Sequence, residues 1–310
     1  MDPQVQALLD MMEAQSANAP KMWEVPLAEA RAGFATGFAM FNAGAPEMAS
    51  ITDQRIPTPG GEMGVKTFVP KGQGPFPLLV YIHGGGFVIG NPDSHLRLCA
   101  ELAEGAKVLV VSLDYRLAPE FPAPAALEDC IAGIRWAVEN APALGGNAAK
   151  FAIGGDSAGG NLTAASCQRL RDTGGPGPAF QLLMYGAFDF DMSKPSIAKN
   201  GEGFVLDRAS MDWFVDQYTP DPALRNDPCV SPGLGDVTGM PPALLQVGTL
   251  DPLLDDSFRY ANKLALAGVP IDLKVYPDMP HGFMQMSAVL DTAKRGVADA
   301  CAALRVALHG

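Results

Sequence analysis

Residues 151–159 read Phe-Ala-Ile-Gly-Gly-Asp-Ser-Ala-Gly, an apolar run that ends in a G-x-S-x-G pentapeptide. The run predicts a buried strand, and residues 160–170 after it predict a helix. A serine in a sharp strand-to-helix turn exposes its hydroxyl, and its neighbours must be small because a Cβ there would clash. The stretch therefore predicts a nucleophile, Ser157. The alternative is a chance pentapeptide in a chain that has 34 glycines.

Strands and helices alternate on both sides of this stretch. The predicted strands are residues 64–70, 77–83, 107–113, 151–153, 179–185, 242–248 and 271–276. The predicted helices are residues 95–105, 125–140, 160–170, 255–267 and 292–308. Continuous apolar strands separated by helices are typical of an α/β fold with a mostly parallel sheet covered on both faces. The reactive site of such a sheet lies beyond the carboxyl ends of its strands.

Two regions depart from this alternation. Residues 1–45 are helix-like and rich in Met and Ala, and residues 190–230 contain Asp, Pro and aromatic residues. We interpret 1–45 with 190–230 as a helical cap over the site, and 46–189 with 231–310 as the catalytic domain. The alternative is helical decoration far from the site.

Composition narrows the class of protein. The 310 residues carry a net charge of −12, which argues against nucleic acid and anionic membrane surfaces as partners. No secretory signal is visible, and no apolar stretch approaches the roughly 20 residues that cross a bilayer, so we expect a cytoplasmic protein without stable membrane insertion. The five cysteines are scattered without a C-x-x-C pair, which disfavours a zinc site and fits a reducing compartment.

A second glycine cluster follows the strand at 77–83. Residues 83–87 read His-Gly-Gly-Gly-Phe, and consecutive glycines let backbone N–H groups turn toward one point. We expect the N–H groups of Gly85, Gly86 and Ala158 to form an oxyanion hole, because developing negative charge needs donors already aimed at it. Phosphate-binding glycine motifs are absent from both clusters. His83 is interpreted as structural, since it ends the strand that carries this loop.

A serine hydroxyl needs a base, and the chain order expected on this architecture is serine, acid, histidine. Only His281 and His309 follow Ser157, and His309 is the penultimate residue. His281 comes just after the strand at 271–276, so we predict it as the base.

The acid must orient the imidazole and stabilise its charged form. Asp251 follows the strand at 242–248 and is the predicted acid. Asp255 and Asp256 are rivals that fall at the start of the next helix, where they would cap it. Asp278 is a further rival, close in sequence to His281.

The chain resembles the hormone-sensitive lipase family of α/β-hydrolases, in its bacterial carboxylesterase branch. The resemblance spans roughly residues 65–308 and rests on motifs at 83–87, 114–120, 155–160, 251–253 and 281–283, in family order. It implies an α/β-hydrolase fold with a helical cap, and hydrolysis of short- to medium-chain acyl esters without a cofactor or metal. It also leaves a homodimer open, because members of this family often pair.

Two hypotheses follow for function. The first is a serine carboxylesterase that acts on a small-molecule ester. The second is a ligand-binding protein on the same fold, but the presence of Ser157, Asp251 and His281 together favours the enzyme. An amide or lactone substrate is not separated from an ester by these motifs. The expected walls of an apolar substrate pocket are Phe34, Phe87, Phe188, Phe204, Met211, Trp213 and Phe214.

Overall fold

A mixed sheet runs through the middle of the computed structural model, which describes residues 1–16 and 19–310. Its strands are β1 (Ser50–Thr58), β2 (Gly61–Val69), β3 (Phe76–Ile82), β4 (Leu109–Asp114), β5 (Gly146–Asp156), β6 (Phe180–Met184), β7 (Ala243–Leu250) and β8 (Ile271–Pro280). The order is β1-β2-β4-β3-β5-β6-β7-β8. The β1–β2 and β2–β4 pairs are antiparallel and the remaining pairs are parallel.

Helices cover both faces of this sheet. Their bounds are α1 (Pro3–Ser16), α2 (Leu27–Ala39), α3 (Leu96–Ala106), α4 (Ala125–Asn140), α5 (Ala158–Asp172), α6 (Pro195–Asn200), α7 (Arg208–Tyr218), α8 (Leu254–Leu266) and α9 (Asp291–His309). The predicted α/β class, a mostly parallel sheet between helical layers, is therefore confirmed.

The alternation of side chains along β3 explains how one strand joins two cores. Leu78, Val80 and Ile82 belong to the core shared with α4, α5 and α8. Leu79 and Tyr81 point the other way, into the core shared with α3, α9 and α1. All five side chains are fully buried, as expected for a central strand whose two faces are both covered by helices.

The sequence pattern missed the first strand. β1 pairs with β2 through a tight hairpin at 58–61, and most of its residues are exposed. An edge strand of this kind has no continuous apolar run, so periodicity gives it little signal. Two predicted strands were also too short, since β5 begins at Gly146 and β8 runs to Pro280. The longer β8 carries the chain directly to His281.

Within the described residues, no helix is long and apolar enough to cross a membrane. All five cysteines are free thiols, and all but the half-buried Cys229 are buried.

Candidate active site

Ser157 lies at the sharp turn between β5 and α5. Its φ of 54° and ψ of −119° are rare for a residue with a side chain, and its N–H donates to the carbonyl of Met184 at 2.9 Å. The turn lies against the end of β3. A Cβ added to Gly155 or Gly159 would lie 2.4 or 1.9 Å from the carbonyl oxygen of Ile82. Only glycine at these two positions allows that approach.

Ser157, His281 and Asp251 form a continuous chain of hydrogen bonds. Ser157 Oγ lies 2.9 Å from His281 Nε2, and His281 Nδ1 lies 2.8 Å from Asp251 Oδ2. A proton on Nδ1, donated to Asp251, leaves the Nε2 lone pair to accept the serine proton. Asp251 is fully buried, and its Oδ1 accepts the N–H of Leu253 at 2.8 Å. The carboxylate is thereby fixed through both oxygens.

The loops after β5, β7 and β8 carry these three side chains to one edge of the sheet, because the strands are parallel. Asn200, which lies outside that edge, also fixes the backbone at Asp251. The buried Asn200, at the end of α6, donates through Nδ2 to the carbonyls of Thr249, at 3.2 Å, and Asp251, at 3.0 Å. Sequence reasoning missed Asn200, because an isolated asparagine in an irregular region carries no motif.

The rival acids and the rival base have other partners. Asp255 accepts a backbone hydrogen bond from the first turn of α6, and Asp256 pairs with a lysine. Asp278 lies 3.5 Å from the N-terminal amine of the chain. His309 bonds to the last backbone carbonyl of α3 at 3.0 Å. None of these contacts involves the serine.

The loop after β3 offers free backbone donors. Gly85 and Gly86 have φ values of 121° and 57°, and a Cβ on Gly86 would lie 2.3 Å from the ring of Phe214. No loop or turn hydrogen bond of the described residues is donated by the N–H of Gly85 or Gly86. Ala158 is the first residue of α5, so its N–H has no acceptor within the helix. These three residues and Ser157 line one cavity.

His83 is buried beneath this loop. Its Nδ1 lies 2.7 Å from the carbonyl oxygen of Gly84, and its ring stacks on Tyr115 with centroids 4.3 Å apart. Burial, with a further contribution from His95, lowers the pKa of His83 to about 3. A neutral imidazole that fixes a loop carbonyl fits the structural interpretation of this residue.

The cavity in front of Ser157 has a volume of about 240 Å³ and a mostly apolar wall. Four expected residues are on that wall: Phe34, Phe87, Met211 and Phe214. Three are not, and the expectation for them was wrong: Phe188, Phe204 and Trp213. Wall residues that the sequence did not indicate include Met12, Met22, Phe38, Ile89, Phe190, Ile197, Val205, Leu206 and Leu253.

These three side chains lie outside the cavity wall. Phe188 turns into the core and stacks on Tyr260 at 4.2 Å, while its neighbours Ala187 and Asp189 reach the cavity. Trp213 packs half-buried against the core, next to Phe214. Phe204 is half-buried in the segment between α6 and α7.

A buried ion cluster supports one side of the cavity. Lys194 is 1% exposed, and its Nζ lies 2.5 Å from Asp189 and 2.9 Å from Asp256. The second oxygen of Asp256 has no hydrogen-bond partner. Burial raises the pKa of Asp256 to about 7, although Lys194 opposes that shift. Clusters of His, Cys, Asp or Glu able to hold a metal ion are absent from residues 1–16 and 19–310.

Known proteins match this sequence and this fold. A family model described as an alpha/beta hydrolase fold matches residues 79–285. Esterase LipI of Mycobacterium tuberculosis is 40% identical over 265 residues, covering 84% of this chain and 83% of that protein. The chain belongs to the hormone-sensitive lipase family of α/β-hydrolases. An ethyl acetate hydrolase of Pseudomonas putida, 36% identical over 315 residues, covers 98% of each chain.

Solved structures of this hydrolase family superpose over nearly the full length. An ester-hydrolase from the metagenome of Lake Arreo, in complex with a bipyridine phosphonate derivative, has a TM-score of 0.94 at 38% identity and covers 98% of both chains. A hyperthermophilic esterase from Pyrobaculum calidifontis has a TM-score of 0.92 at 30% identity, covering 99% of this chain and 98% of that one. The relatives confirm the predicted enzyme class, a carboxylic ester hydrolase.

The raised pKa of Asp256 predicts how Asp256→Asn changes stability with pH. A carboxyl whose folded-state pKa is about 7 stabilises the fold through its bound proton below its unfolded pKa of about 4. That contribution is lost as the pH rises from about 4 to about 7. The Asn variant lacks this titration. We therefore expect its melting temperature, relative to wild type, to rise by roughly 3 °C or more between pH 5 and pH 8.

Thermal unfolding of both proteins at several pH values measures this difference. An offset between them that stays constant from pH 5 to pH 8 would contradict a neutral Asp256 in the folded protein.

Proposed function

We propose that this chain is a serine carboxylesterase that hydrolyses short- to medium-chain acyl esters through Ser157, His281 and Asp251. The observation that carries the proposal is the unbroken hydrogen-bond chain from Ser157 Oγ to Asp251, beside three free backbone N–H groups. The small-molecule ester is the partner, and the proposed reaction uses no cofactor. The homodimer and the cytoplasmic location remain predictions.

Acylation is the first half of the reaction. Ser157 Oγ attacks the ester carbonyl carbon while His281 Nε2 takes the hydroxyl proton. The carbonyl oxygen becomes an oxyanion, which accepts hydrogen bonds from the N–H groups of Gly85, Gly86 and Ala158; one such donor is worth about 10²–10³ in kcat. His281 then gives its proton to the departing alkoxide, and the acyl group remains on the serine as an ester.

Deacylation repeats these steps with water as the nucleophile. His281 takes a proton from the water, the hydroxide attacks the acyl carbon, and the second oxyanion occupies the same three donors. Its collapse breaks the bond to Ser157 Oγ, which regains its proton from His281. Asp251 keeps the imidazole in the required tautomer and stabilises its positive charge in both halves.

The cavity supports the chain-length part of the proposal. Its volume of about 240 Å³ is smaller than the roughly 300–1,000 Å³ of pockets for drug-sized ligands. We propose that the segments 1–45 and 190–230 act together as the cap over it. α2 contributes Phe34 and Phe38 to the wall, and α7 contributes Met211 and Phe214.

The nucleophile is tested by Ser157→Ala. We expect kcat/KM for p-nitrophenyl butanoate to fall by at least about 10³-fold, because no other group can form the acyl-enzyme. The melting temperature should stay close to wild type. Ser166→Ala is the matched control, since Ser166 lies on α5, is fully buried and has an unpartnered hydroxyl. If Ser157→Ala retains most of the activity, Ser157 is not the nucleophile and the proposed mechanism is wrong.

The acyl-chain optimum is tested with p-nitrophenyl esters from acetyl to palmitoyl. We expect kcat/KM to peak among the short and medium chains and to fall for palmitoyl, because a cavity of about 240 Å³ is too small for a 16-carbon chain. Met211→Ala removes part of the wall formed with Ile197 and Leu253, so the optimum should move to longer chains. A wild-type optimum at palmitoyl would contradict the proposed substrate class.

A further inference from the structure

Asp156, the residue before the nucleophile, is a fully buried carboxylate that the proposed reaction does not use. Its Oδ1 accepts the hydroxyl of Tyr81 at 2.7 Å and the N–H of Gly84 at 2.9 Å. Its Oδ2 lies 3.3 Å from His95 Nε2 and accepts Gln285 Nε2 at 3.3 Å. Four partners occupy the lone-pair positions of the carboxylate, so it cannot also serve as a base.

These partners stabilise the ionised form of Asp156. Burial alone raises the pKa of a carboxyl, but the interactions with His95 and the hydrogen bond from Tyr81 outweigh it and bring the pKa of Asp156 below its ordinary value. An ionised carboxylate that accepts several hydrogen bonds forms stronger bonds than a neutral amide would. These bonds are therefore strong enough to fix the segments that donate them.

Three segments that carry the reacting groups meet at this carboxylate. The sharp turn that carries Ser157 follows Asp156 directly in the chain. The oxyanion loop is attached through Gly84, directly before Gly85. The loop that carries His281 is attached through Gln285, in the short 3₁₀ turn at 283–286.

Gly84 is fixed from both sides. Its N–H is held by Asp156, and its carbonyl oxygen lies 2.7 Å from His83 Nδ1. A Cβ at this position would lie 2.5 Å from Asp156 Oδ2, so the loop and the carboxylate are in close contact. The direction of the next two N–H groups, on Gly85 and Gly86, follows from this anchor.

We propose that Asp156 is a positioning residue that sets the oxyanion loop and the histidine loop relative to the nucleophile. Its loss weakens binding of the transition state and leaves binding of the substrate nearly unchanged. This inference rests on the proposed function. A displacement of about 1 Å in such a site can cost about 10²-fold in rate, because the donors must meet the oxyanion and not the ground-state carbonyl.

The test is Asp156→Asn, which keeps the shape but replaces Oδ2 by an N–H₂ group that cannot accept from His95 or Gln285. We expect kcat for p-nitrophenyl butanoate to fall about 10- to 100-fold, with KM within about threefold of wild type. A trifluoromethyl ketone that forms a reversible tetrahedral adduct should lose affinity by the same factor as kcat/KM. The corresponding secondary alcohol, which forms no adduct, should keep its affinity.

Gln285→Leu breaks the bond from Asp156 to the segment that carries His281 and should lower kcat by a smaller factor with the same pattern. The double variant should lose less than the product of the two single losses, because both remove one shared bond. Asp129→Asn is the matched control. Asp129 is a buried carboxylate paired with Arg116 at 2.8 Å, so its loss should lower the melting temperature and leave kcat and inhibitor affinities within about twofold.

Equal losses of affinity for the ketone and the alcohol, or a wild-type kcat in folded Asp156→Asn, would overturn the positioning role. If Asp156→Asn does not fold, Gln285→Leu decides by the same comparison of kcat, ketone and alcohol. Failure of the proposed function is separate, because it appears as an active Ser157→Ala whatever Asp156→Asn does.

Discussion

The close approach between the end of β3 and the turn that carries Ser157 is the constraint on which the site depends. The carbonyl of Ile82, at the end of β3, lies where a Cβ of Gly155 or Gly159 would have to be. This contact holds Ser157 at a φ of 54° and brings the loop after β3 next to the loop after β5. Ser157 and the N–H groups of Gly85 and Gly86 are therefore neighbours because two adjacent parallel strands end at the same edge.

The site keeps three buried carboxylates in three different environments. Asp251 has a histidine and a backbone N–H as partners, and Asp156 is satisfied by four donors. Asp256 has one oxygen without a partner, and its pKa rises to about 7 despite the nearby Lys194. At Asp156 the contacts with His95 and Tyr81 outweigh the effect of burial and lower the pKa. At Asp256 burial and the nearby charge of Asp189 outweigh Lys194 and raise the pKa.

The sequence predicted those parts of the site that depend on backbone geometry. The glycines around Ser157 and the run at 84–86 are dictated by contacts that no other residue allows, so they appear as short, readable motifs. The order of Asp251 and His281 followed from the architecture that the G-x-S-x-G turn indicates, and their positions followed from the ends of parallel strands. The contacts of Asn200 and Gln285 had no such signal, because a side-chain amide can be useful almost anywhere in a chain.

The sequence did not predict which aromatic side chains face the cavity. Ala187, Phe188 and Asp189 are consecutive, yet the outer two reach the cavity and Phe188 stacks on Tyr260 in the core. Composition identifies an aromatic-rich segment, but the side that each ring faces depends on the path of the backbone. β1 was missed for a related reason, since its pairing with β2 leaves most of its side chains in solvent.

The proposed covalent step on Ser157 is tested most directly by rapid mixing of the enzyme with p-nitrophenyl acetate, followed by acid quench and peptide mass spectrometry. The mechanism predicts an acetyl group on the peptide that contains Ser157 early in turnover. It also predicts release of no more than about one equivalent of p-nitrophenol per site in any initial burst. An acetyl group found only on other peptides, or turnover with no acylated peptide under conditions that make deacylation slow, would contradict it.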